Sequence, residues 1–294
     1  MSLLHVVILA IVQGFAELLP VSSSAHVIVA EKLMGLDPSS PTMTLLLVML
    51  HTGTMFAVIA YFWPQWRSTY FQSAAAFKKI AGLVILATFL TGIVGEACIK
   101  VVEKTIFRDI PHAQIEDLFG RLDLISPALA AAGILILIAG ILEKRNSTKR
   151  ESAPTFLEAP EVNASQAGLI GAVQGLCLPF RGFSRSGATI STGMLAGVAK
   201  SRAEAFSFAL AVVLTPLAVA REAMRLVKAE HISKTPNLVA GVFPSLLGAA
   251  LAFVAGLLAL KWLTRWLEGG RWYLFGIYCL IAAAVVAALY RAGY

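Results

Sequence analysis

The chain has 294 residues, of which 58% are hydrophobic and only 14% charged; an ordinary soluble domain is about 45–50% apolar and about 25% charged. A soluble fold of this length has no core able to hide so much apolar surface, which sets aside a cytosolic enzyme, a secreted disulfide scaffold and a disordered chain in favour of a polytopic membrane protein. The net charge of +7 then marks loops held at a membrane face rather than nucleic-acid binding.

In chain order, the first apolar run, Leu3 to Leu19, has no basic n-region. It carries Gln13 and Glu17 inside it and ends in Leu-Leu-Pro rather than a small-residue cleavage site, so it reads as retained and not as a signal peptide. Pro20-Val21-Ser22-Ser23-Ser24 cuts it, and the apolar pattern resumes to Met34. Three segments long enough to cross a ~30 Å hydrocarbon core follow: Thr42–Trp63, Ile80–Ile99 and Leu122–Leu142. A polar stretch with Pro154 and Pro160, Glu143–Asn163, reads as a mobile linker. Ala164–Leu178 is again too short to span easily. It is cut by Pro179-Phe180-Arg181-Gly182-Phe183-Ser184-Arg185-Ser186-Gly187 and resumes to Val198. The last spans are Ala203–Ala220, Leu238–Leu263 and Trp272–Leu289. Tyr61, Trp63, Trp66, Trp262, Trp266, Trp272 and Tyr273 flank spans where interfacial anchors belong. Cys98, Cys177 and Cys279 lie far apart in apolar stretches, with no C-x-x-C pair or metal spacing, and read as buried small hydrophobes.

The two interrupted segments, 3–34 and 164–199, resemble each other. Ala10-Ile11-Val12-Gln13-Gly14 recurs as Gly171-Ala172-Val173-Gln174-Gly175, an offset of 161, and each run leads to Leu-Pro and then Ser-x-Ser. Pro ends a helix and Ser caps the next, while irregular backbone at membrane depth survives only inside protein or along a wet cavity. Both segments are therefore expected to be re-entrant helical hairpins. The predicted fold is an all-α polytopic membrane protein with six transmembrane helices plus two re-entrant hairpins. Residues 1–142 form a first repeat, 143–163 the linker and 164–294 a second repeat. Three spans per repeat is an odd number, so the repeats have inverted topology and their hairpin tips can meet near the midplane. One side of this segmentation carries twelve Lys and Arg in its loops and the other, with the termini, ten. The positive-inside rule puts the termini outside by that thin margin.

Ionisable groups at membrane depth are functional candidates. Glu17 lies one turn after Gln13 on the same helix face. An unpaired carboxylate there calls for a cation, a proton or an interhelical hydrogen bond. Ser22, Ser23, Ser24 and His26 share the first tip. They suit a hydroxyl nucleophile with an imidazole base, and equally a helix cap beside a hydrogen-bonded histidine. Ser184, Arg185, Ser186, Gly187 and Thr189 open the second half-helix of the second hairpin. Free N–H groups, a positive dipole end and a guanidinium fork suit a phosphate, with Arg181 as a second cation in the same tip. His51-Thr52-Gly53-Thr54 can line the cavity or serve helix packing.

At these residues the chain resembles the undecaprenyl-diphosphatase family of bacterial membrane proteins, associated with bacitracin resistance. The specific stretches are Gln13-Gly14-Phe15-Ala16-Glu17-Leu18-Leu19-Pro20-Val21-Ser22-Ser23-Ser24-Ala25-His26 and Gly182-Phe183-Ser184-Arg185-Ser186-Gly187-Ala188-Thr189-Ile190-Ser191. His51-Thr52-Gly53-Thr54 and Glu204-Ala205-Phe206-Ser207-Phe208 support them. The resemblance implies hydrolysis of undecaprenyl diphosphate to the monophosphate carrier lipid used for peptidoglycan and other envelope polymers. It also implies a divalent cation, Mg2+ or Ca2+, and the same segmentation. By this resemblance the acidic motif falls on Gln13 and Glu17, the serine run and histidine on Ser22, Ser23 and His26, and the phosphate-binding arginine on Arg185. Three departures stand out: Ala25 where many members have Gly, Pro179-Phe180-Arg181-Gly182 in place of a shorter Pro-Gly turn, and Gln13, which cannot share metal charge as Glu would. Ser191 stands where the other lipid-phosphatase type has its histidine, so that class does not fit.

The expected reaction uses Arg185 and the amides after Ser184 to hold phosphate and Glu17, with Gln13, to hold the metal. Ser23 with His26 as base, or water activated by His26, delivers the attack. The expected partners are a polyprenyl diphosphate and the bilayer of the bacterial inner membrane, with room for a homodimer and no nucleic acid. A transporter or flippase for a lipid phosphate or another anion is the rival reading, because broken helices and inverted repeats serve transport as well.

Overall fold

The computed structural model describes residues 2–37, 40–106, 121–147, 156, 159–233, 238–268 and 271–294. Among these the regular structure is α-helix, in ten helices: α1 (Leu3–Leu18), α2 (Ser23–Leu33), α3 (Pro41–Thr69), α4 (Ala74–Ile106), α5 (Leu122–Ser147), α6 (Ala164–Leu176), α7 (Arg185–Leu195), α8 (Lys200–Ser233), α9 (Leu238–Glu268) and α10 (Tyr273–Arg291). Five candidate spans are long and apolar enough to cross a membrane: Thr42–Thr69, Ala74–Thr105, Leu122–Arg145, Gly241–Leu263 and Tyr273–Arg291. They match five of the six predicted spans. The sixth, Ala203–Ala220, lies within α8, which is 34 residues long but is not among the five. Large apolar side chains such as Ile85, Phe89, Leu217 and Phe243 point outward, as a bundle surrounded by lipid requires.

The two short helical pairs form as the sequence suggests, with adjusted ends. Leu19 takes an extended conformation at φ −78° and ψ 151°, because the residue before a proline is pushed out of the helical region. Ser2 caps the start of α1 by accepting from the His5 N–H, and Asn163 with Gln166 closes a reciprocal capping box on α6. Helix α7 begins at Arg185, so Ser186 and Gly187 are helical rather than part of the break. It stops at Leu195, ahead of Gly197 at φ +82°.

Other expectations are corrected. Helix α4 starts at Ala74, so Lys78 and Lys79 extend a span rather than sit in a loop; a helix that continues past the hydrocarbon keeps its own backbone bonds satisfied. Helix α5 likewise continues to Ser147, and Glu143 there pairs with Lys200 at 3.0 Å. Residues 148–155, 157 and 158 of the expected linker lie outside the described residues, as does the side chain of Trp266. Trp66 and Trp272 are not interfacial anchors but buried core. The indole of Trp272 is satisfied internally, donating to the Ser191 Oγ at 3.0 Å, as a buried indole must be. All three cysteines are free, but only Cys279 is buried; Cys98 and Cys177 are partly exposed.

Small residues set the closest helix approaches. A Cβ on Gly14 of α1 would fall 2.5 Å from the Ala255 Cβ and 3.0 Å from the Ala252 O of α9. A Cβ on Gly175 of α6 would fall 2.8 Å from both the Thr91 O and the Val94 Cβ of α4. Helix α3 packs on α9, α5 on α10, and α7 on both α5 and α8. This leaves the breaks of the two hairpins facing each other in the interior.

Candidate active site

The two hairpin tips interlock through backbone and side chain together. Ser186 donates to the Leu19 O at 3.2 Å. The Gly182 N–H donates to the Ser24 Oγ at 3.4 Å. Gly187 lies against the Pro20 O, the Ser184 Oγ and the Ile136 side chain, with no room for a side chain. The Cys279 thiol donates to the Pro20 O at 3.5 Å, tying α10 to the first tip.

At the centre is Glu17, near the end of α1 and 15% exposed. Arg185 Nη2, from the first position of α7, donates to Glu17 Oε1 at 2.6 Å. The Ser23 hydroxyl, from the first position of α2, donates to Glu17 Oε2 at 2.5 Å. Gln13 Nε2 donates to the same oxygen at 3.2 Å and meets His51 Nδ1 at 2.9 Å. His51 Nδ1 itself is 3.6 Å from Glu17 Oε2. With Gln13 as donor to both neighbours, a neutral His51 carries its proton on Nε2. The second terminal nitrogen of Arg185, Nη1, is buried without a hydrogen-bond partner among the described residues. A guanidinium offers five donors in a fork; here one arm is spent on Glu17 and the other is held out of water with nothing to bind, a costly arrangement that a ligand anion would relieve.

The sequence-predicted residues thus divide. Gln13, Glu17, Ser23 and Arg185 come together, joined by His51. His26 belongs to the same tip but does not hydrogen-bond Ser23. Its Nδ1 lies 2.7 Å from the Ser22 O and its Nε2 2.7 Å from the Tyr278 hydroxyl. Ser22 contacts Ser24 at 3.3 Å. The candidate phosphate-binding side chains of α7 are engaged within the protein. Ser184 Oγ accepts from the Gly187 N–H at 3.2 Å, and Ser186 holds the other tip. Thr189 is fully buried and bonds the Arg185 O at 2.7 Å and the Ser207 Oγ at 2.6 Å. Tyr278 was not singled out from sequence. It is one tyrosine in an apolar run, brought to the site where α10 meets the first tip through the Tyr278 hydroxyl at His26 and the Cys279 thiol at the Pro20 O.

One carboxylate, one amide and one imidazole make no metal cage, and no cluster of three or more His, Cys, Asp or Glu able to hold a metal occurs among the described residues. The donor set does fit a cation of the Mg2+ type, which keeps its waters and is held by one or two carboxylates together with substrate phosphates.

The family model described as bacitracin resistance protein BacA matches residues 6–285. The chain is 53% identical over 292 residues to "Undecaprenyl-diphosphatase 2" of Acinetobacter baylyi, covering 98% of each chain. It is 33% identical over 292 residues to "Undecaprenyl-diphosphatase 2" of Burkholderia thailandensis, covering 96% of this chain and 95% of the relative. "Undecaprenyl-diphosphatase 1" of Burkholderia pseudomallei matches at 32% with the same coverage. A match across nearly the whole length, through both interlocked tips, means that this chain belongs to the BacA family of bacitracin resistance proteins.

Proposed function

We propose that this protein hydrolyses undecaprenyl diphosphate to undecaprenyl phosphate and inorganic phosphate, returning the carrier lipid to envelope polymer synthesis. The observation that carries the site assignment is Arg185. It opens a half-helix at the interlocked tips, has one guanidinium arm on Glu17 and keeps the other buried and unpartnered. Its fork, with the N–H groups that the first turn of a helix leaves unused, binds the terminal phosphate and stabilises charge developing there.

The bond broken joins the bridging oxygen to the terminal phosphorus. The Ser23 Oγ attacks that phosphorus, its proton passes to Glu17 along the existing 2.5 Å hydrogen bond, and undecaprenyl phosphate leaves. Water then cleaves the phosphoserine, giving its proton to His26, while Glu17 returns its proton to the departing Ser23 oxygen along the same hydrogen bond; inorganic phosphate is released. A divalent cation, Mg2+ or Ca2+, would be held by Glu17 and Gln13. When bound, it offsets the charge of the diphosphate.

The test is phosphate release in detergent, where transport cannot be read. Purified protein should liberate inorganic phosphate from a polyprenyl diphosphate. Glu17→Ala and Arg185→Ala should lose this by at least about 10²-fold while still eluting as folded protein. Full turnover in both variants would overturn the site assignment, and no release by the unaltered protein would overturn the function.

The same reading assigns six spans and two re-entrant hairpins in inverted repeats, 1–142 and 164–294, in the inner membrane with both termini outside. In support, the contact of Gly14 with Ala252, Ala255 and Gly256 has a counterpart in Gly175 with Thr91, Val94 and Gly95. An offset of 161 relates every residue in one contact to its equivalent in the other. An impermeant thiol reagent on intact cells should label a cysteine added at either terminus and spare one in the 143–163 linker; the reverse pattern would invert the orientation.

A further inference from the structure

Resting on the hydrolase reading, we propose that Tyr278 is a positioning residue that holds His26 in one tautomer, with Nε2 as its basic nitrogen, and keeps that nitrogen covered until the site is engaged. The bonding around the imidazole carries this. The Ser22 carbonyl, 2.7 Å from His26 Nδ1, can only accept, so Nδ1 bears a proton. In the neutral ring Nε2 is then bare, and the group 2.7 Å from it is the Tyr278 hydroxyl, which donates. The two rings lie nearly parallel, 11° apart with centroids at 5.6 Å, so the phenol fixes the plane of the imidazole as well as its protonation pattern.

The register of this contact is set by its neighbour in sequence. Cys279 is fully buried and donates to the Pro20 O, which pins α10 against the first tip at the residue next to Tyr278. Tyr278 is itself 45% exposed, within the apolar run of α10, yet its hydroxyl is spent inward on a histidine 252 residues away. A base must be free and correctly aimed when water arrives. Tyr278 supplies the aim, and gives up its hydrogen bond when water takes its place at Nε2.

The experiment uses Tyr278→Phe, which keeps the ring and removes the hydroxyl, in full-length protein in detergent. Diethyl pyrocarbonate transfers its ethoxycarbonyl group to an unprotonated imidazole nitrogen, releasing ethanol and carbon dioxide, and mass spectrometry reads His26 separately from the other four histidines. The expected result is His26 modified severalfold faster in Tyr278→Phe than in the unaltered protein, with His51 unchanged. In turnover, Tyr278→Phe should lower kcat about tenfold, a fraction of what a general base supplies, with KM within about twofold. In a His26→Ala background it should cost nothing further, because its effect passes through His26. Equal labelling of His26 in both proteins, an unchanged kcat, or an undiminished effect of Tyr278→Phe without His26 would each overturn the proposal. If the unaltered protein releases no phosphate the hydrolase reading fails instead, and the labelling still decides whether Tyr278 covers His26.

Discussion

Ser22 and Ser184 hold the same left-handed backbone conformation at equivalent places in the two hairpins: φ 69° and ψ 91° for one, φ 52° and ψ 91° for the other. They are the non-glycine residues with positive φ among those described. Each is the N-cap of the second half-helix, and the residue after each reaches the same carboxylate. Ser23 binds Glu17 Oε2 and Arg185 binds Glu17 Oε1. The paired turns therefore aim a hydroxyl and a guanidinium at one point from opposite hairpins. Such conformations cost of order 1–3 kcal/mol each and persist where surrounding packing over-determines them.

The two serines should nonetheless respond differently to substitution. Ser184 caps α7 through the Gly187 N–H, whereas Ser22 makes no side-chain cap. Ser184→Ala should cost about 1 kcal/mol of stability and Ser22→Ala clearly less. Ser22→Gly should be neutral or stabilise by up to about 1 kcal/mol, since glycine reaches positive φ freely. Unfolding midpoints in a detergent titration measure this, and equal losses for the two alanine variants would contradict it.

Glu17 and Arg185 form a mostly buried pair, 15% and 23% exposed. Removing one partner leaves the other charge uncompensated, which costs several kcal/mol for a buried pair. Glu17→Gln and Arg185→Gln should each destabilise by up to about 3 kcal/mol. The double variant should lose much less than their sum. A thermal-unfolding double-mutant cycle measures the coupling; strict additivity would mean that the pair is incidental to the fold.

The positions of these candidate residues along the chain were legible because polar residues are conspicuous in apolar runs and because proline and serine punctuate helices. Glu17 and Arg185 needed no more than that, whereas the choice of Ser23 within the serine run rested on the family resemblance. The partner choices were not legible. Helical spacing brings Ser23 and His26 to one tip, but the imidazole is turned by the Ser22 O and by Tyr278 from the far end of the chain. His51 joins the site only because α3 passes beside α1 at Gln13. Gln13 and Gln174 occupy matching positions in the repeated motif, yet Gln13 faces Glu17 while Gln174 is fully buried against Thr91 at 3.1 Å. Trp272 looked like a belt residue because a flank position is the same in sequence whether the ring faces lipid or core.

If Ser23 carries the phosphate, acid quench within the first turnover should trap covalent phosphate on that residue, and Ser23→Ala should abolish both the adduct and turnover. His26→Ala should then accumulate the adduct, because its water-activating step is lost. An adduct-free quench with turnover intact in Ser23→Ala would assign the attack to water directly.

Equivalent substitutions in the two hairpins should separate the repeats. Gly14 and Gly175 make equivalent close approaches, to α9 and α4, so Gly14→Ala and Gly175→Ala should destabilise to a similar degree, about 1–3 kcal/mol each for overpacking. Gly92, inside α4 with nothing near its Cβ position, provides the contrast: Gly92→Ala should stabilise by about 0.5–1 kcal/mol from helix propensity alone. Activity should not follow stability. Pushing α1 away from α9 shifts Gln13 and Glu17, which flank Gly14, and even about 1 Å of misplacement at a reacting centre costs on the order of 10²-fold. Pushing α6 away from α4 shifts Gln174, whose contacts are internal to the scaffold. Phosphate release measured well below both unfolding midpoints should therefore fall far more in Gly14→Ala than in Gly175→Ala; equal loss would mean that the second hairpin's first helix takes part in the chemistry too.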